Sequence, residues 1–404
     1  VSSTKLTGKA VVGQSGGPTA VINQSLVGVI EEARRQKQIT GLLGARHGVR
    51  GIINEDFLDL SGLSQSTLEA VAVTPSSALG STRDKPDRNY CQKIFEAFQK
   101  NDVRYFFYIG GNDSADTANI VHQVANEENY DLRVFHIPKT IDNDLRVTDH
   151  CPGYGSAAKF VAQALMGDDL DNRSLKGVKI DVIMGRHAGF LTAATILARQ
   201  HADAGPHLIY VPEAVFDEAK FITDVDRVMK KLGRCIIAVS EGIHDAAGTP
   251  ITAKMASLHE KDAHGNIQLS GTGALGDFLA ELIRSRLGTV EKKLRVRADT
   301  FGYLQRSFVG VYSEVDAREA RLVGQMAVRH ATNDNTDGSV ALKRLGNDGS
   351  YGVETFVTSL ASVARATKSL PAEYLVPDGN DIDESYRSYV APLVGKLPTV
   401  GYLY

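Results

Sequence analysis

Short apolar runs, glycine-rich turns and helical periods follow one another along most of the chain. Residues 9–12 (KAVV) lead into Gln14-Ser-Gly-Gly-Pro-Thr19, after which Val21, Ile22, Leu26, Val29, Ile30 and Ala33 fall on one helical face. Residues 103–109 (VRYFFYI) read as a fully buried strand, followed by Gly110-Gly111-Asn112-Asp113-Ser114 and a helix carrying Ala118, Val121 and Val124. Residues 132–137 lead into Pro138-Lys-Thr-Ile-Asp-Asn-Asp144, with a helix after Ser156. Residues 178–184 lead into Gly185-Arg-His-Ala-Gly189, with a helix expected to about Gln200. Residues 207–211 and 235–239 are further strands, ending in Pro212-Glu213 and Ser240-Glu241-Gly242. Strands of about four to seven residues alternating with longer helices predict βαβ units and a mostly parallel sheet. Ligands of such folds bind beyond the carboxyl ends of the strands, where each of these turns falls. The polar stretch 245–273 is expected to be an exposed hairpin or loop.

Composition narrows the picture mainly by exclusion. The 404 residues suffice for two domains or more, and a net charge of −3 advertises no surface for nucleic acid. No apolar stretch approaches the roughly 20 residues of a membrane helix. The first residues, Val1-Ser-Ser-Thr-Lys5, carry no hydrophobic secretory core, so a cytoplasmic protein is expected. Cys91, Cys151 and Cys235 form no CxxC pair, which disfavours zinc or a disulfide framework and makes each a buried hydrophobe.

The glycine turns carry the chemistry. Glycine lets backbone approach an anion closely, and a helix N-terminus offers unpaired N–H groups there. Either turn alone equally suits a tight connection without ligand, and neither matches GxGxxG or GxxxxGK[ST]. Thr140-Ile-Asp142-Asn-Asp144 is sharper. Two carboxylates beyond a strand, beside Lys139 and the Asn112-Asp113 turn, suit phosphoryl transfer: one deprotonates a hydroxyl while others hold Mg²⁺ against phosphates. A local turn satisfied by its own carboxylates is the alternative. His136 reads as a core histidine, and His187 as a capping or packing residue.

Seven motifs in order (SGGPT, GGNDS, PKTIDND, MGRHAGF, VPE, SEG and GYLQRS) resemble the phosphofructokinase family, specifically its diphosphate-using branch, over residues 9–329. The resemblance implies an α/β fold of two Rossmann-like domains with the active site in the cleft between them. The donor domain would take residues 1–153 plus about 306–355, the sugar-phosphate domain about 154–305, and a C-terminal segment of about 356–404 would pack on the body. The implied reaction moves a phosphoryl group reversibly from diphosphate to the 1-hydroxyl of fructose 6-phosphate, with Mg²⁺ as cofactor. A homo-oligomer with shared active sites is implied as well.

Donor choice is carried by two positions. Where the ATP branch has glycine, this chain has Asp113, which fills the space of the nucleotide's α-phosphate and repels it. Where that branch has a second glycine, Lys139 supplies an ammonium suited to a compact inorganic anion. Asp142 resembles the general base. Asn112, Asp113 and Asp144 resemble the metal region, and Gly16, Arg83, Gly111 and Ser114 the donor contacts, beside Lys139. Thr140, Met184, Gly185, Arg186, Glu241, Gly302, Tyr303, Gln305 and Arg306 resemble the sugar-phosphate pocket, with Arg297 reaching a neighbouring subunit's 6-phosphate. Asn112 replaces an aspartate of the related pattern, and its amide oxygen is a weaker metal ligand. Tyr303 replaces the ATP branch's histidine. A second inter-subunit arginine is missing near Leu175-Lys-Gly-Val-Lys179, where Lys176 and Lys179 are the available cations. The alternatives are the ATP-dependent enzyme, a non-catalytic regulatory subunit of the same fold, and another kinase family with a GGDG-type turn, which would leave PKTIDND, MGR and GYLQRS unexplained.

Overall fold

The computed structural model describes residues 6–253, 273–288, 294–364 and 366–403, so most of the expected loop at 245–273 lies outside the described residues. Two compact units divide the chain: unit 1 holds residues 1–156 and 306–368, and unit 2 holds residues 157–305 and 369–404. The residues from about 356 onward, expected as a segment packing on the body, fall partly in unit 1 and partly in unit 2.

Unit 1 is built on seven strands: β1 (Gly8–Gln14), β2 (Ile39–Ala45), β3 (Phe57–Asp59), β4 (Val103–Gly110), β5 (Arg133–Pro138), β10 (Gly338–Arg344) and β11 (Val353–Thr358). Their order is β11-β10-β5-β4-β1-β2-β3, parallel except for the antiparallel edge pairs β10–β11 and β2–β3. Strand β4 shows why both faces are covered. Tyr105, Phe107 and Ile109 enter one core with Ile22, Leu26 and Val323, while Val103, Phe106 and Tyr108 enter the other with Ile94, Phe98 and Val121. A run from Tyr105 to Ile109 that is aromatic or aliphatic at every position is buried on both sides, as a central parallel strand is.

Unit 2 carries an all-parallel sheet of β6 (Val178–Ile183), β7 (Leu208–Tyr210), β8 (Cys235–Ser240) and β9 (Val296–Thr300), in the order β7-β8-β6-β9. Its core joins Ile180, Val182, Ile237 and Val239 to Phe221 and Leu279 of flanking helices. The helix expected up to Gln200 is only Phe190–Ala193, continued as a 3₁₀ turn Ala194–Ala198. Thr195 donates its hydroxyl to the Thr192 carbonyl at 2.6 Å, and such a local bond competes with the α-helical ladder. The three cysteines are buried free thiols. Among the described residues, no helix is long and apolar enough to cross a membrane.

Candidate active site

In unit 1 the carboxyl ends of β1, β4 and β5 lie side by side, which brings the Ser15-Gly-Gly17, Gly110-Gly111 and Lys139–Asp144 segments together. Gly16 adopts φ +73°, a left-handed conformation that glycine tolerates without strain. The turn is pinned from below: the Gly16 N–H donates to the Thr82 carbonyl at 2.9 Å, and Ser81 donates to the Gly16 carbonyl at 2.6 Å. At Gly110 a side chain would collide with Ser114 Oγ at 2.0 Å, so this glycine lets the Ser15 and Ser114 hydroxyls meet above it. His136, fully buried, links Ser339 Oγ and the Gly110 carbonyl, each at 2.8 Å. Burial pushes its pKa down to about 4, so the ring is neutral and structural.

Three cations converge on the first glycine turn. Lys139 Nζ donates to the Gly17 carbonyl at 2.7 Å, and lies 3.2 Å from where a Gly16 Cβ would stand. A Gly17 Cβ would stand 2.9 Å from Arg306 Nη1 and 3.7 Å from Arg83 Nη2. Lys139 is only 4% exposed. Burial, reinforced by Arg306 and Arg83, depresses its pKa to about 7, against the opposing pull of Asp142 and Asp144. A buried ammonium beside two guanidinium groups is a site short of negative charge. The Asp142 and Asp144 carboxylates are half-buried and flank the buried Asn143, whose amide oxygen accepts from the Cys151 N–H at 3.0 Å. The Asp142 N–H donates to Thr140 Oγ1 at 3.1 Å, fixing the start of this acidic turn.

The second glycine turn opens the helix Asn112–Glu127 with Gly111 as its cap. Asn112 Oδ1 accepts from the Asp113 N–H at 2.9 Å, and Asp113 pairs with Lys85 at 3.1 Å. Sequence reasoning missed Lys85, Ser81 and Thr82. Only their proximity to Arg83 in the chain could have flagged them.

Unit 2 assembles the remaining predicted residues around the ends of β6, β8 and β9. Gly185, at φ +145°, lies so close to Ala188 that a side chain would meet its carbonyl oxygen at 2.6 Å. Ser240 donates to the Gly185 carbonyl at 2.5 Å, and the Glu241 N–H donates to Ile183 at 2.9 Å. Gln305 is spent on positioning: its oxygen accepts from the Met184 N–H at 3.1 Å and its amide donates to the Gly302 carbonyl at 2.7 Å. Glu213, quoted in a motif but given no role, accepts from the Gly189 and Leu370 N–H groups at 2.9 and 2.7 Å. Tyr303 is exposed, Arg186 half-buried and Glu241 buried. Arg306, grouped with these by sequence, lies in unit 1 beside Gly17. Arg297 is apart from the others: it sits exposed on β9, bonded to the Val296 carbonyl at 3.1 Å. About 10 Å of strand separates it from Thr300.

The phosphofructokinase family model matches residues 9–331. The pyrophosphate–fructose 6-phosphate 1-phosphotransferase of Rhodospirillum rubrum is 54% identical, covering 96% of this chain and 95% of its own. The enzyme of the same name from Xanthomonas campestris is 39% identical, over 97% and 93%. The crystal structure of a pyrophosphate-dependent phosphofructokinase from Nitrosospira multiformis superposes with a TM-score of 0.84 at 34% identity, over 98% of this chain and 94% of that one.

Proposed function

The chain belongs to the phosphofructokinase family, and from that premise we propose that it transfers a phosphoryl group between diphosphate and the 1-hydroxyl of fructose 6-phosphate. One observation carries the donor assignment: Lys139, Arg83 and Arg306 converge on the Gly16–Gly17 backbone, with Lys139 buried and its charge opposed. A compact dianion placed there answers that deficit and draws Lys139 back toward its charged form. Asp113 supports the same reading, as an exposed carboxylate where a nucleotide would need to pass.

In the forward direction Asp142 takes the proton of the 1-hydroxyl. The oxygen's electron pair forms the new P–O bond, and the bridging P–O bond of diphosphate breaks with its pair going to orthophosphate. Lys139, Arg83 and Arg306 meet the charge that builds on the donor oxygens. The step exchanges a phosphoanhydride bond of diphosphate for a phosphate ester; donor and product lie close in transfer potential, so the reaction runs in both directions. Mg²⁺ fits the donor set: Asp142 and Asp144 offer hard oxygens, and this ion needs only one or two carboxylates beside substrate phosphates. When bound it supplies charge neutralisation to the diphosphate. Asp144 would hold it, with Asp113 joining on release from Lys85. Asn112 accepts a hydrogen bond from the Asp113 N–H through its side-chain oxygen. Thr140, Met184, Gly185, Arg186, Glu241, Gly302 and Tyr303 are assigned to the sugar phosphate. Exposed Arg297 is assigned to a neighbouring copy in a homo-oligomer. Sugar phosphates do not cross membranes unaided, so a cytoplasmic location belongs to this reading.

The test is the initial rate with diphosphate against ATP at fixed Mg²⁺ and fructose 6-phosphate, followed in both directions. Turnover with diphosphate both ways, and little with ATP, is expected. ATP as the better donor overturns the donor assignment, and no turnover with either overturns the enzyme.

A further inference from the structure

Unit 2 holds a second concentration of charge that the transfer reaction does not use. Asp168 on the helix Tyr154–Ser174, Asp181 in the middle of β6 and Asp299 on β9 bring carboxylate oxygens within 4.8 Å of one another. Asp181 is completely buried, and neither of its oxygens has a hydrogen-bond partner. Buried carboxylates without donors are costly and rare. Lys179 supplies one countercharge: it pairs with Asp299, but its Nζ stays 3.5 Å from Asp168 and 3.9 Å from Asp181, beyond good hydrogen-bond length. One ammonium among three carboxylates leaves a deficit of positive charge. A recess of about 430 Å³, lined by Asp168, Asp299, Gln163, Thr300 and Phe160, gives access from outside.

We propose that Asp168, Asp181 and Asp299 form a binding site for a divalent, oxygen-seeking cation, which displaces the Lys179 ammonium. The donors are all hard oxygens, with Gln163 and Thr300 nearby for further ligation, which selects Ca²⁺, Mn²⁺ or Mg²⁺ over thiophilic metals. The three ligands come from one helix and two strands, and those strands end at Met184–Arg186 and Gly302–Gln305. A cation here therefore clamps the framework of the sugar-phosphate residues, and the site stands whether or not the donor assignment holds.

Mn²⁺ serves as the probe, with the full chain and no diphosphate or sugar phosphate present. Free Mn²⁺ counted by electron paramagnetic resonance should show one more ion bound per wild-type chain than per Asp181→Asn chain. Lys179→Met, which removes the competing ammonium, should bind that ion about ten-fold more tightly. Equal stoichiometry and affinity in wild type and Asp181→Asn overturn the proposal, and are the result if a proton shared between Asp181 and Asp168 is all the cluster holds. Crystals of the wild-type chain soaked in Mn²⁺ decide the matter even if a variant folds poorly. An anomalous peak within ligation distance of Asp181 and Asp299 supports the site, and peaks confined to Asp142 and Asp144 overturn it.

Discussion

Around Gly16 in unit 1, three cations are crowded against one turn, and one of them is buried at a cost to its own charge. Around Gly185 in unit 2, the corresponding work is done by hydrogen bonds to backbone from Ser240, Gln305 and Glu213. The first region stores an electrostatic deficit that an anion relieves. The second stores shape, with side-chain polar atoms largely spent on holding backbone. The difference teaches that substitutions in unit 1 should act on chemistry and pH dependence. Those in unit 2 should act on stability and substrate fit.

The hardest test of the first half of that comparison is Asp142→Asn. Proton abstraction by a positioned base contributes about 10²–10⁴-fold, so kcat should fall by that range with both KM values nearly kept. Steady-state kinetics in both directions check it, and a retained rate removes Asp142 from its role. Lys139→Met comes next. Loss of one preorganised donor to the reacting group should lower kcat with diphosphate by about 10²–10³-fold. The same variant should be more stable than the parent. In the folded chain Lys139 titrates near 7, below its ordinary 10.5, so below pH 7 the native state carries the full penalty of the buried ammonium. Between pH 7 and 10.5 the unfolded chain holds that proton and the native chain does not, so native stability rises with pH and the advantage of the variant shrinks. Thermal melts of both proteins at pH 6 and pH 9 should show the larger gain in Tm at pH 6. No gain at pH 6 would mean the ammonium is not strained.

Arg306 sharpens the comparison because it ends the GYLQR motif yet lies by Gly17. Arg306→Gln should raise KM for diphosphate about ten-fold, the worth of a bidentate arginine–phosphate contact. KM for fructose 6-phosphate should rise less if Arg306 serves the donor turn. The opposite split would reassign Arg306 to the sugar phosphate.

The parallel strands were readable because β4 is a run of aromatic and aliphatic residues from Tyr105 to Ile109 and β1 and β5 end in glycine or proline turns. The break in the helix after Gly189 was not readable, because a threonine hydroxyl bonding a carbonyl three residues back leaves no mark on hydrophobic periodicity. Family motifs named Gln305 and Ser114 as ligand contacts. In the structure their polar groups also bond to Met184, Gly302 and Ser15. A motif records that a residue is needed, and only geometry tells whether it faces the ligand or holds something that does. The acidic trio of unit 2 was invisible for a related reason: Asp168, Asp181 and Asp299 come from three separate elements, and no spacing joins them.

The mildest prediction concerns Glu213, on the shape-keeping side of the comparison. One of its oxygens accepts from the Gly189 and Leu370 N–H groups. Glu213→Ala leaves both donors without that acceptor, at about 1–3 kcal/mol for each group that stays buried. Tm should fall by several degrees, with kcat changed little beyond the loss of folded protein. Glu213→Gln keeps an acceptor oxygen at the same place. Burial holds the Glu213 carboxyl above its usual pKa, so its charged form is the costly one. As pH rises past the ordinary carboxylate range, the glutamate pays that penalty and the glutamine does not. Glu213→Gln should therefore melt close to the parent at pH 5 and gain on it at pH 8. If alanine and glutamine variants behave alike, the backbone bonds are not what Glu213 is for, and its carboxylate must then act through charge, as the groups of unit 1 do.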